Sequence, residues 1–61
     1  MAIYQIYVAG KQRGNDYTNK KLAIQNSEVI ARANKRVHVY EVKNGVPGPT
    51  IAIWVDGERI K

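Results

Sequence analysis

Val37-His38-Val39-Tyr40-Glu41-Val42 is a strand with two apolar faces rather than one. Side chains alternate across a strand, so Val37 and Val39 point one way while His38, Tyr40 and Val42 point the other. Two more runs share this character: Ile3-Tyr4-Gln5-Ile6-Tyr7-Val8 and Ile51-Ala52-Ile53-Trp54-Val55. Laid side by side, the three strands gather Tyr4, Ile6, Val8, Val37, Val39, Ile51, Ile53 and Val55 on one face, which is a core. The other face gathers Tyr7, His38, Tyr40, Val42 and Trp54, with only Gln5 clearly polar. A single helix covers one face of a small sheet. The aromatic face is therefore expected to stay open, and an open apolar patch on a small protein marks an interaction surface. The reverse assignment, with the helix on the aromatics, would leave the branched aliphatics open and demand a partner even more strongly.

Around these runs, residues 2–9 form the first strand, and Gly10-Lys11-Gln12-Arg13-Gly14-Asn15-Asp16 is a turn-rich loop. The helix is expected from Thr18 to Asn34, with Thr18 as N-cap and Tyr17 and Leu22 at the two positions of a hydrophobic staple. Leu22, Asn26, Val29, Ile30 and Ala33 share one stripe at helical spacing, opposite Lys21, Glu28, Arg32 and Lys35. Ile24 falls on the polar side without explanation, and Asn26 interrupts the stripe. The second strand is 36–42. Lys43 to Thr50 is a loop, because Pro47 and Pro49 are excluded from a central strand; within it, Asn44-Gly45 suits a type I′ turn. The third strand is 51–56. Asp56-Gly57 signals another turn, after which Glu58-Arg59-Ile60-Lys61 returns as a short edge strand or frays.

The expected fold is α+β, a single small domain over 1–61. Its three-stranded, mostly antiparallel sheet runs β-α-β-β, with one helix packed on one face. Two strand orders remain open. The first strand flanks the third in an all-antiparallel sheet, or flanks the second in parallel through a right-handed crossover.

At 61 residues, a chain hides only about 60% of its unfolded surface, so its stability is marginal. There is no cysteine, hence no disulfide or thiolate chemistry. No apolar run approaches the roughly 20 residues of a membrane span, and the Met1-Ala2-Ile3-Tyr4-Gln5 start lacks a signal-peptide pattern. A soluble, cytoplasmic protein is expected. Ten Lys and Arg against five Asp and Glu give a net charge of +5, which favours acidic partners.

Catalysis needs convergent titratable groups. The acids are Asp16, Glu28, Glu41, Asp56 and Glu58, and His38 is the lone histidine. No spacing brings two carboxylates together, and one histidine without cysteine does not make a metal site. Gly10-Lys11-Gln12-Arg13-Gly14 lacks the Gly-Lys-Ser/Thr ending of a phosphate loop. The chain is expected to be no enzyme, with no cofactor, no metal and no small-molecule substrate.

A binding protein fits better. Tyr7, Tyr40 and Trp54, with His38, supply the large rings that dominate interface hot spots. Arg13, Arg36 and Lys43 stand at strand ends as rim cations. The first hypothesis is a regulator or inhibitor that docks this face on a protein partner, or on a second copy as a homodimer or higher oligomer. The alternative is a nucleic-acid binder that stacks bases on the sheet. It is weakened because Lys11, Arg13, Lys35, Arg36 and Lys43 are placed in loops and none on the aromatic face. Membrane binding is disfavoured, since the sheet needs the helix stripe for cover.

Ile6-Tyr7-Val8, the helix before Arg36-Val37-His38-Val39-Tyr40-Glu41-Val42, and Trp54-Val55-Asp56-Gly57-Glu58-Arg59-Ile60 together resemble the small orphan accessory proteins of bacterial viruses and mobile elements. That resemblance implies a host-takeover or counter-defence protein that docks on a larger enzyme in the host cytoplasm. It assigns no site residues.

Overall fold

Three two-residue turns set the architecture. Ala9-Gly10, Asn44-Gly45 and Asp56-Gly57 all have positive φ at both positions, the type I′ geometry whose twist matches paired strands. Each closes a hairpin. In a computed structural model that describes residues 2–61, the elements are β1 (Ala2–Val8), β2 (Lys11–Tyr17), α1 (Lys20–Ala31), β3 (Arg36–Lys43), β4 (Val46–Val55) and β5 (Glu58–Arg59). The five strands form one sheet in the order β2-β1-β3-β4-β5, with every neighbour antiparallel.

The α+β class and the single helix agree with expectation; the three-stranded sheet does not. The expected loop from Gly10 to Asp16 is mostly strand β2, an exposed edge with no apolar alternation to announce it. This extra strand reverses the chain, so β1 flanks β3 antiparallel, which neither expected strand order contained. The expected loop at Lys43–Thr50 is a tight turn followed by the first half of β4. Pro47 and Pro49 are tolerated there because β5 pairs only with Trp54 and Val55. Their half of β4 therefore has a neighbour on one side alone. Gly48 suits this stretch, since a Cβ there would crowd the Glu41 carbonyl oxygen at 3.0 Å.

Register decides which residues are inside. β1 and β3 pair without interruption from Ala2↔Lys43 to Tyr7↔His38. Between β3 and β4 the register slips twice: Val42 is opposite Pro47 and Tyr40 opposite Thr50, and then Val39 is opposite Ala52. At the second slip the inserted residue falls between Thr50 and Ala52. Ile51 is the extra residue, a β-bulge. The bulge turns Ile51, Ala52 and Trp54 toward the helix and puts Ile53 and Val55 on the other face. The sequence alternation had Ile53 and Val55 inside and Trp54 outside. Ile51, which precedes the slip, keeps its expected side.

The helix is shorter than expected and rotated. Asn19, not Thr18, is the N-cap; its side-chain oxygen accepts from the Lys21 and Leu22 amides at 2.9 and 3.3 Å. With that cap the staple positions no longer fall on Tyr17 and Leu22. The face turned to the sheet is Ala23, Ser27 and Ala31, flanked by Ile24 and Ile30. Ile24 is thus accounted for. Leu22 and Val29, the heart of the expected stripe, are 49% and 59% exposed. Small residues at i, i+4 and i+8 let the helix sit low on Ile6, Val37, Val39, Ala52 and Trp54, which form the core with Tyr4, Val8 and Tyr17 at its margin.

Candidate functional site

The face of the sheet away from α1 is set by the same registers. Directly opposed residues share a face, so Tyr7, His38 and Ile53 form one row and Gln5 and Tyr40 the next. Arg36 and Val55 form the row before them. None of Tyr7, His38, Tyr40, Ile53 and Val55 is fully buried; all are partly exposed. Val42 also lies on this side but is only 3% exposed. Its register neighbours are Ile3 and Pro47.

The aromatic groups are held by one another. Tyr7 and Tyr40 meet edge to face, with centroids 5.3 Å apart and ring planes at 81°, a favoured geometry for two quadrupoles. His38 stands 6.0 Å from Tyr40 at 60°, and its Nδ1 lies 3.1 Å from the Tyr40 hydroxyl. The Tyr7 hydroxyl donates to Gln5 Oε1 at 3.1 Å. Gln5 and Gln12 in turn donate to Asp16 Oδ1 at 2.9 and 2.8 Å. A polar chain thus orders the β1–β2 side of the face. Between the β1–β2 turn and β3 lies a cleft of about 310 Å³ lined by Tyr7, Ala9, Gly10, Arg36, His38 and Tyr40.

Of the residues singled out from sequence, Tyr7, His38, Tyr40 and Arg36 come together here. Trp54 does not. It is 6% exposed under the helix, and its Nε1 donates to Ser27 Oγ at 2.8 Å. The bulge at Ile51 moved it inside. Arg13 is opposite Ile6, so it lies on the helix side of the edge strand rather than on the aromatic rim. Lys43 shares the phase of Val37 and Val39, and its Nζ lies 3.6 Å from Glu41 Oε1. Arg36 corrects a further expectation. It is the first residue of β3, in phase with His38 and Tyr40, so a cation does stand on the aromatic face. The sequence pattern missed Ile53 and Val55 altogether, for the same reason that it misplaced Trp54.

Among the described residues, no cluster of three or more His, Cys, Asp or Glu could hold a metal ion. No helix among them is long and apolar enough to cross a membrane. No protein-family model, no curated relative and no solved structure matches the chain.

Proposed function

We propose that this chain is a small non-enzymatic binding protein that docks the uncovered face of its sheet on a protein partner in the cytoplasm, as a regulator or inhibitor. The observation that carries this reading is the one-sided cover of the sheet. The helix closes the face that bears Ile6, Val37, Val39 and Trp54, while Tyr7, His38, Tyr40, Ile53 and Val55 stay within reach of solvent on the other. Tyrosines pre-ordered by neighbours offer large contact area at small entropic cost. Docking onto a larger enzyme is also the role that the likeness to viral accessory proteins implies.

Charge separates the occupants. Four strands of seven to ten residues, with the two-residue β5 at one edge, stand about 4.8 Å apart and give a face of at most about 20 by 23 Å. That is about half of the 800 Å² or so per partner in a standard interface. That area limits the affinity of any partner held by this face alone, and for a second copy the repulsion between two chains of +5 adds to it. A nucleic-acid strand needs cations along its path, and strand alternation puts a single one, Arg36, on this face. The Tyr7–Tyr40 edge-to-face contact also occupies ring surface that a stacked base would use.

The test is affinity capture from nuclease-treated lysate with wild type, Tyr40→Thr, Ile53→Thr and Leu22→Gln. Threonine keeps strand propensity, so circular dichroism should stay near wild type. Retention of a protein band should fall about tenfold or more with either sheet variant, the loss of one hot-spot residue. It should be unchanged by Leu22→Gln on the helix exterior. The opposite pattern would move the docking surface to the helix and refute the reading.

A further inference from the structure

The cleft beside the β1–β2 turn contains a cation with no counter-charge. Arg36 makes no ion pair or side-chain hydrogen bond among the described residues. The carboxylates are engaged or distant. Asp16 accepts from Gln5 and Gln12. Glu28 lies 3.8 Å from Arg32, and Glu41 lies 3.6 Å from Lys43. Glu58 is opposite Val55, which is opposite Arg36, so a whole strand separates the two charges. Asp56 sits in the β4–β5 turn, where its amide donates to the Lys35 carbonyl at 2.8 Å, and its carboxylate forms no ion pair with Arg36. The guanidinium thus stands at a half-apolar wall with its donors unspent. Resting on the docking role proposed above, we propose that this cleft anchors an acidic residue: it takes the carboxylate of one Asp or Glu in an extended segment of the protein partner, whose apolar neighbours lie on Ile53 and Val55.

Several features select this ligand. A guanidinium presents a planar fork that matches a carboxylate with two parallel hydrogen bonds. The lining carries one charge, Arg36, while the Tyr7 and Tyr40 hydroxyls and His38 Nδ1 are engaged by neighbours, so a single carboxylate fits where a run of phosphates does not. The chain's net charge of +5 steers an acidic segment toward the surface and a second copy away from it.

The test uses the full-length, 15N-labelled chain titrated with the peptides acetyl-Ile-Glu-Ile-amide and acetyl-Ile-Gln-Ile-amide, and separately with an oligothymidylate. The glutamate peptide should shift the amide signals of Gly10, His38 and Tyr40 and the Arg36 Nε–H signal. The glutamine peptide should bind about tenfold more weakly or worse, the loss expected for a hydrogen bond to a charged group. Arg36→Gln, an exposed position at the start of β3, should keep the dispersed spectrum and lose the preference for glutamate. Equal binding of the two peptides, or an unchanged preference in Arg36→Gln, would overturn the anchor. If Ile53 and Val55 still shift with both peptides, the docking face survives that result. If no open-face signal moves with either peptide, anchor and face fall together. Stronger shifts with the oligothymidylate would assign the cleft to nucleic acid. Concentration-dependent shifts without peptide would assign it to a second copy. Either of these would also overturn the proposal.

Discussion

Ser27→Ala tests the placement of Trp54, on which the choice of open face depends. Ser27 is fully buried, accepts from Trp54 Nε1 at 2.8 Å and donates to the Ile24 carbonyl at 2.7 Å. Losing its own hydroxyl costs the helix little, because alanine is the better helix former by about 0.5 kcal/mol. The cost falls on Trp54. Its indole N–H would be left without a partner in the core, and a buried donor without an acceptor costs about 1–3 kcal/mol. The expected net loss is about 0.5–2.5 kcal/mol. A 61-residue domain holds only about 3–9 kcal/mol in all, at the usual stability per residue, so the loss should be plain in a urea titration followed by circular dichroism. The sign should reverse in a second background. With Trp54→Phe there is no indole donor to orphan, and Ser27→Ala should then be neutral or stabilising by about 0.5 kcal/mol. A Ser27→Ala change that is neutral in wild type would refute the buried Trp54–Ser27 contact. An equal loss in both backgrounds would refute its energetic coupling.

Two local predictions follow from the backbone. Asn19→Ala should cost about 1 kcal/mol through loss of the helix cap, whereas Thr18→Ala should fall within a few tenths of wild type; a larger effect at Thr18 would move the cap. Ala9 holds a φ of +53°, a region that suits asparagine better than alanine. Ala9→Asn should therefore raise stability by about 0.5 kcal/mol and the melting midpoint by roughly 2–4 °C, and a lowered midpoint would contradict the type I′ turn.

The sequence showed most where alternation ran unbroken. β1 and β3 pair without a slip, and Tyr4, Ile6, Val8, Val37 and Val39 on one side and Tyr7, His38 and Tyr40 on the other were all legible. β4 was not, because a bulge inserts one residue and inverts every later side chain without any mark in composition. A clue lay in Ser27 and Trp54: a buried indole needs an acceptor, and a serine among alanines at i+4 spacing provides one. The helix face was misread for a related reason. Leu22 and Val29 outweigh Ala23, Ser27 and Ala31 in hydrophobicity, but small side chains are what a helix needs to lie close to a sheet. β2 carries no apolar period at all. Lys11-Gln12-Arg13-Gly14-Asn15-Asp16-Tyr17 is an edge with nothing to bury except its last ring, and Ala9-Gly10 is a weaker turn signal than Asn-Gly. Arg36 was legible as a cation, and the strand expected at 36–42 already put it in phase with His38 and Tyr40; counting it as a loop residue at the strand end left it off the face.

The three short turns also govern how the chain finds its fold. Each hairpin closes a loop of a few residues, which is fast and entropically cheap. Only the pairing of β1 with β3 spans the whole helix. The β1–β2 hairpin and the β3–β4–β5 meander can thus form independently and then zip together along the uninterrupted register from Ala2↔Lys43 to Tyr7↔His38. The slow step of folding would be that central seam. Substitutions at Ile6 or Val39, which lie on it, should slow refolding, while changes in β5 should mainly hasten unfolding.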